Sequence, residues 1–186
     1  METMDLSGQL LIAMPGMGDP RFQRSVILIC AHSGDGAMGL IINKPAGDLS
    51  FVGMLEHLGI KTAQGGRDIR VRFGGPVERG RGFVLHSTDW DSGGTVRVAP
   101  LCSLSASVEI LRAIAEGRGP KQWLVALGYA GWSAGQLDGE MRRHGWFAAA
   151  GRPEVLFETD APDRWQACWR AEGIDPGHLA STTGRA

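Results

Sequence analysis

No stretch of this chain approaches the roughly 20 consecutive apolar residues of a membrane-crossing helix. The N-terminal METMDLSGQLLIAMPG starts acidic and holds only a short apolar run, so no secretory signal peptide is expected. Charge of one sign is also missing. Lys and Arg total 19 against 20 Asp and Glu, a net charge of −1, so no global field draws the protein to nucleic acid or a membrane surface. Only three cysteines occur, Cys30, Cys102 and Cys168, far apart and without CxxC spacing. That argues against a disulfide framework and a zinc ribbon, and for a reducing cytoplasm. No GxxxxGK[ST] is present, which removes a P-loop. Lysine is scarce: Lys44, Lys61 and Lys121 stand alone among basic residues that are otherwise Arg. Arg forks onto carboxylates and phosphates, although codon bias explains the imbalance as well.

Glycine is abundant: 28 of 186 residues, about twice the usual share. The glycines are scattered among apolar runs, as in a fold with many tight turns. The apolar fraction of 43% and charged fraction of 21% are those of an ordinary globular protein. A single domain over 1–186 is expected, with a core over about 6–180 and flexible ends at 1–5 and 181–186. A chain of this size buries roughly 70% of its unfolded surface, so its core needs no metal or disulfide.

Apolar patterning predicts strands over Gln9–Met14, Ser25–Ala31, Met38–Asn43, Arg70–Phe73, Arg81–His86, Thr95–Val98, Trp123–Leu127 and Glu154–Phe157. Helices are predicted over Ser50–Leu58, Ser105–Glu116, Ser133–His144 and Asp163–Glu172. Asp19-Pro20 reads as the start of a turn or a single helical turn, GDG at 34–36 as a hairpin turn, and GGPVERG as a surface turn. Strands come in pairs first and helices are interspersed later. The fold class is therefore α+β, one mixed domain rather than a βαβ series.

Three constellations carry candidate chemistry. Gly34, Gly36 and Gly39 match GxGxxG, but a strand ended by Pro45 follows, not the phosphate-holding helix of a dinucleotide site. His32-Ser-Gly-Asp35 and His86-Ser-Thr-Asp89 are near copies, each after a predicted strand. If those strands were neighbours, His32, Asp35, His86 and Asp89 could form a metal or acid–base site. Turn chemistry accounts for the same residues more simply, and no metal or cofactor is expected. Arg67, Arg70, Arg72, Arg79 and Arg81 form a cluster in which Arg70 and Arg72 share a strand face. Such a face suits phosphate or RNA, and suits better an edge strand protected by charge.

In GYAGWSAGQLDGEM (128–141), Ser133 and Gln136 fit a capping box, and Gln136 and Glu140 fall four apart on one helix face. Gly135 and Gly139 each cost about 1 kcal/mol in a helix unless a close contact requires them. This stretch, LICAHSGDGAMGLIINKP, FGGPVERGRGFVLH, Val155–Phe157 and Asp163–Trp165 resemble the AlgH/YqgE family of bacterial proteins. The matching positions are His32, Gly36, Gly39, Asn43, Gly74, Gly75, Pro76, His86, Gly128, Gly131, Trp132, Gln136 and Glu140. The usual terminal GHA is Gly184-Arg185-Ala186 here. The resemblance implies an α+β fold with a strongly bent sheet, a cytoplasmic setting, and no agreed enzymatic activity or cofactor. Members are labelled transcriptional regulators on genetic grounds, without a DNA-binding motif.

The expectation is a non-enzymatic protein acting through a protein or small-molecule partner. The alternative is a metal- or anion-binding enzyme using the His32/His86 strand ends and the Gly131–Gln136 helix start. The candidate ligand site comprises His32, Asn43, His86, Gly131, Trp132, Gln136 and Glu140. Six Trp residues in this length also leave aromatic surface for a homo-oligomer.

Overall fold

A computed structural model describes residues 5–61 and 69–183, with side chains through residue 179. Arg67 and most of the two expected flexible ends lie outside the described residues.

The sheet grows from runs that are apolar on both faces. In β2 (Val26–Ser33), Val26 and Leu28 enter one core cluster while Ile27 and Ile29 enter another. That is why SVILICA is continuous rather than alternating. β1 (Leu10–Ala13) and β3 (Gly36–Ile41) flank it antiparallel. β2 and β3 are joined across Gly34-Asp35, the two-residue hairpin predicted from GDG. β4 (Pro45–Ser50), β5 (Arg70–Phe73), β6 (Val77–His86), β7 (Val96–Val98), β8 (Cys102–Ser105), β9 (Trp123–Ser133) and β10 (Trp146–Ala149) complete one sheet, of ten strands among the described residues. The main path runs β10-β1-β2-β3-β9-β6-β8-β7, with β4 and β5 branching from β9. All pairings are antiparallel except β5 with β9. The sheet curls into a half-barrel with helices against it, the α+β class expected.

The helices close the remaining apolar faces. α1 (Phe51–His57) starts where Ser50 Oγ accepts the Gly53 N–H at 3.0 Å, a cap that contributes about 1 kcal/mol. Together with α2 (Val108–Ala115) it covers Val71, Val84 and Val125 in a third core cluster. α3 (Gln136–Arg142) inserts Leu137 beside Ile27 and Ile41. α4 (Arg164–Ala171) buries Trp165, Cys168 and Trp169 at helical spacing. α5 (Pro176–Thr183) ends the described chain.

Several expectations are corrected. Glu154–Phe157 is no strand but part of a π-helical turn over Glu154–Glu158, closed by Thr159 N–H to the Glu154 carbonyl at 2.9 Å. A short apolar run does not distinguish the two, and among the described residues this one joins no strand ladder. GGPVERG is no surface turn: Gly74 and Gly75 are buried and β6 begins at Val77, bulging before Gly82. A Cβ on Gly74 would sit 2.3 Å from the Gly128 carbonyl oxygen, and one on Gly75 would sit 2.1 Å from the Tyr129 carbonyl carbon. Gly128 reciprocates at φ +75, where a Cβ would lie 2.4 Å from the Gly75 oxygen. These glycines let two backbone segments cross in contact. β5 is not an edge, because it lies between β4 and β9. The Ser133–His144 helix starts at Gln136, with Gly135 as N-cap at φ +74. β4, β8, β10 and α5 had no counterpart among the predicted elements, and Pro45, expected only to end a strand, opens β4.

Candidate functional site

β3 and β9 run antiparallel with Ala37 opposite Trp132 and Met38 opposite Gly131. Past this end of β9 the chain turns at Gly135 and returns as α3. The return brings the Gln136–Glu140 face back over Trp132, and β10 places Trp146 beside it. The Glu140 carboxylate becomes the centre of the cluster. Its Oε2 accepts the indole N–H of Trp132 at 2.9 Å and that of Trp146 at 3.2 Å. Its Oε1 accepts from Gln136 Nε2 at 3.3 Å. Gln136 Oε1 in turn accepts the Ser133 N–H at 3.0 Å, so the reaching-back half of the predicted capping box is present. Both indoles are almost fully buried, Trp132 at 7% and Trp146 at 6% exposure, which fixes the carboxylate between rigid donors.

This cluster lines a cleft of about 410 Å³. Phe22, edge-on to Trp146 at 5.8 Å, gives it a second aromatic wall. Pro76, Val77 and Gly131 also line it, as do the exposed Arg21 and Arg143. Arg21 is already forked onto Asp19 at 2.8 Å. No ion pair among the described residues engages Arg143. Gly131 has ordinary backbone geometry, and a Cβ there would meet nothing nearer than a Tyr129 ring carbon at 3.4 Å. Its missing side chain leaves the cleft open rather than relieving a clash.

The other candidate residues divide. His32 lies on the neighbouring strand, 8% exposed, and accepts the Leu6 N–H on Nδ1 at 3.1 Å. That leaves its ring proton on Nε2, facing Asp138 of α3 at 3.5 Å. It therefore braces α3, and lines with Asp35 an open concavity that shares Gly131 and Trp132 with the Glu140 cleft, in whose own lining His32 has no part. His86 does not join it. Ala37, the partner of His32, pairs with Trp132, whereas His86 pairs with Trp123, nine residues along β9 or about 30 Å of strand. His86 is fully buried, with Nδ1 on the Ser87 carbonyl at 2.8 Å and Nε2 on Ser105 Oγ at 2.9 Å. Burial pushes its basicity below the usual histidine range.

Asp89 caps its turn through Ser87 Oγ and the Lys121 N–H, and Asp35 N–H bonds Ser33 Oγ, so the two HSxD segments are turn motifs. Among the described residues no group of three or more His, Cys, Asp or Glu is placed to share a metal ion. Asn43 links strand ends: Oδ1 accepts the Val26 N–H at 2.9 Å and Nδ2 donates to the Arg24 carbonyl at 2.8 Å. The cysteines are unpaired, and burial pushes the Cys102 and Cys168 thiols up to about 12. The arginine cluster splits, with Arg79 and Arg81 on β6 and Arg70 and Arg72 on β5. Sequence reasoning missed Trp146, Phe22, Asp138 and Arg143. For Trp146 and Phe22 no local signal existed, since each reaches the cleft through strand pairing or a turn. Arg143 was legible, seven residues after Gln136 on the same helical face.

A curled, mainly antiparallel sheet, with a helix folded back over one strand end and a clamped carboxylate in an aromatic cleft, defines the α+β class of this protein. The chain belongs to the AlgH-like family, whose model matches residues 10–177. It is 57% identical over 181 residues to a UPF0301 protein of Novosphingobium aromaticivorans, covering 97% of each. It is 58% identical over 184 residues to one of Cereibacter sphaeroides, covering 98% of this chain and 100% of that protein. The solution structure of AlgH from Pseudomonas aeruginosa superposes with a TM-score of 0.79 at 37% identity, covering 100% of this chain and 97% of that one. A protein from Corynebacterium diphtheriae shares the fold at a TM-score of 0.73 and 20% identity. The resemblance read from the motifs is thereby established, and the family is one of uncharacterised proteins.

Proposed function

We propose that this protein is a non-enzymatic binding protein whose ligand is a small zwitterionic organic molecule held in the Trp132 cleft, with any effect on gene expression indirect. The Glu140 carboxylate carries the reading. An ionised carboxylate has roughly four acceptor positions. Two indoles and one amide occupy three of them and lock the group in place. The remaining position on Oε1 and the surrounding aromatic rings suit an ammonium group, which gains from carboxylate and ring faces together. The exposed Arg143 of its lining suits the ligand's acid group. The volume of about 410 Å³ is that of a small-molecule site. The cleft contains no nucleophile–base pair, which favours binding over catalysis. The enzymatic alternative needs His32 and His86 to converge, and β9 separates them.

NMR of the indole N–H groups tests this directly. Titration with free L-amino acids and glycine betaine is expected to move the Trp132 and Trp146 signals together and saturably. Glu140→Gln is expected to weaken that response by about tenfold or more, because it removes the charge and turns one acceptor into a donor. A panel in which no compound moves these signals, or a Glu140→Gln protein that binds like wild type, overturns the reading.

A further inference from the structure

A second cleft, of about 440 Å³, opens among β5, the start of β9 and the segment 157–164. Three arginines line it. Arg70 and Arg72 sit two apart on one face of β5, and Arg164 starts α4. Arg164 is only 4% exposed. It donates from Nε to the Thr159 carbonyl at 3.1 Å and from Nη1 to the Ile42 carbonyl. Carbonyls satisfy its N–H groups without cancelling its charge. Arg72 is half-buried, and its Nε is buried with no hydrogen-bond partner. Among the described residues neither Arg72 nor Arg164 forms an ion pair.

Asp160 acts electrostatically on both Arg72 and Arg164 and partly offsets their charge, but it forms an ion pair with neither. Glu158 and Asp160 are exposed residues of its lining, and Asp48, 3.7 Å from Arg70, is fully in solvent. Water and salt screen such exposed charges far more than buried ones. Burial, and then the charge of Arg72, pushes Arg164 down to about 10, and burial followed by Arg70 lowers Arg72. Two crowded cations and an orphaned buried donor are costly unless an acceptor arrives. Trp123 and Phe157 supply an apolar wall.

We propose that this cleft binds the phosphoryl group of a small phosphorylated molecule. Arg72 and Arg70 contact its oxygens, Arg164 supplies fixed positive charge behind them, and the organic part lies against Trp123. A terminal phosphoryl group offers three oxygens and two negative charges to converging guanidinium forks. This inference is independent of the zwitterion reading, because the two clefts share no lining residue.

The test follows backbone amide, arginine Nε–H and indole signals by NMR while inorganic phosphate is titrated against sodium chloride at matched ionic strength. Phosphate is expected to give saturable shifts at Arg70, Arg72 and Trp123, with the Trp132 and Trp146 indoles unmoved. Arg72→Gln is expected to weaken binding roughly tenfold, the loss of one charge-assisted contact, while Arg112→Gln, at an exposed position of α2, leaves it unchanged. Should Arg72→Gln fail to fold, Arg70→Gln at an exposed position carries the same expectation. Methyl phosphate is expected to bind as phosphate does, and dimethyl phosphate, the diester of a nucleic-acid backbone, far more weakly. Equal shifts in phosphate and chloride, unchanged binding in a folded Arg72→Gln or Arg70→Gln protein, or preference for the diester would each overturn the proposal.

Discussion

His86 shows at the residue scale how burial converts a plausible catalyst into a structural part. Each ring nitrogen already has a partner, and the ring is sealed from water beside Trp90. Its folded-state basicity is lowered by burial, so the unfolded chain binds a proton more readily than the folded one. Stability is then fully present above the ordinary histidine range and falls as pH drops below about 6.5. Thermal unfolding from pH about 7.5 to about 5 is expected to show this loss, and His86→Gln to be less stable overall with a shallower slope. An unchanged slope in His86→Gln would place the titration elsewhere. Glu140 makes the opposite case. Its acceptors are nearly filled, but by rigid donors that present it to a cleft rather than seal it away.

The signature stretch at 128–141 resolves, at the element scale, into glycines with different reasons. Gly128 is required by the crossing with Gly75, where both backbone angle and contact exclude a side chain. Gly135 is required by its left-handed N-cap conformation. Gly139 has no such reason, since a Cβ there would meet only Arg143 Nη2 at 3.6 Å. Gly128→Ala is therefore expected to cost about 3 kcal/mol, and Gly139→Ala to stabilise α3 by about 0.5–1 kcal/mol. Urea unfolding midpoints moving in opposite directions would bear this out. The predicted capping box was half legible: Gln136 reaches back to Ser133 as the pattern says. The helix nevertheless starts later, because Gly135 turns the chain more sharply than a serine cap does.

The whole molecule is a sheet organised about β9, which pairs with β3, β5 and β6. That hub sends Trp132 to one end and Trp123 to the other, and each end opens into a separate cleft. The net charge is −1, and among the described residues the short helices include no basic recognition helix for a DNA groove. Titration with duplex DNA is expected to give no saturable binding and no steep salt dependence, and a salt-steep, sequence-selective isotherm would contradict it. No helix among the described residues is long and apolar enough to cross a membrane.

The sequence by itself determined the α+β class, most strands, α1, α2 and α4, and membership of the AlgH-like family. It did so because local apolar period and glycine placement encode which faces are buried. Only the tertiary structure decided which distant groups meet. Glu140 gains Trp146 through β10 pairing with β1, and Arg164 reaches the Ile42 carbonyl across 122 residues. His32 and His86 part because β9 runs nine residues between their pairing positions. Periodicity records that a strand is buried but not its neighbour or register. Those follow from how the curled sheet closes all three core clusters at once.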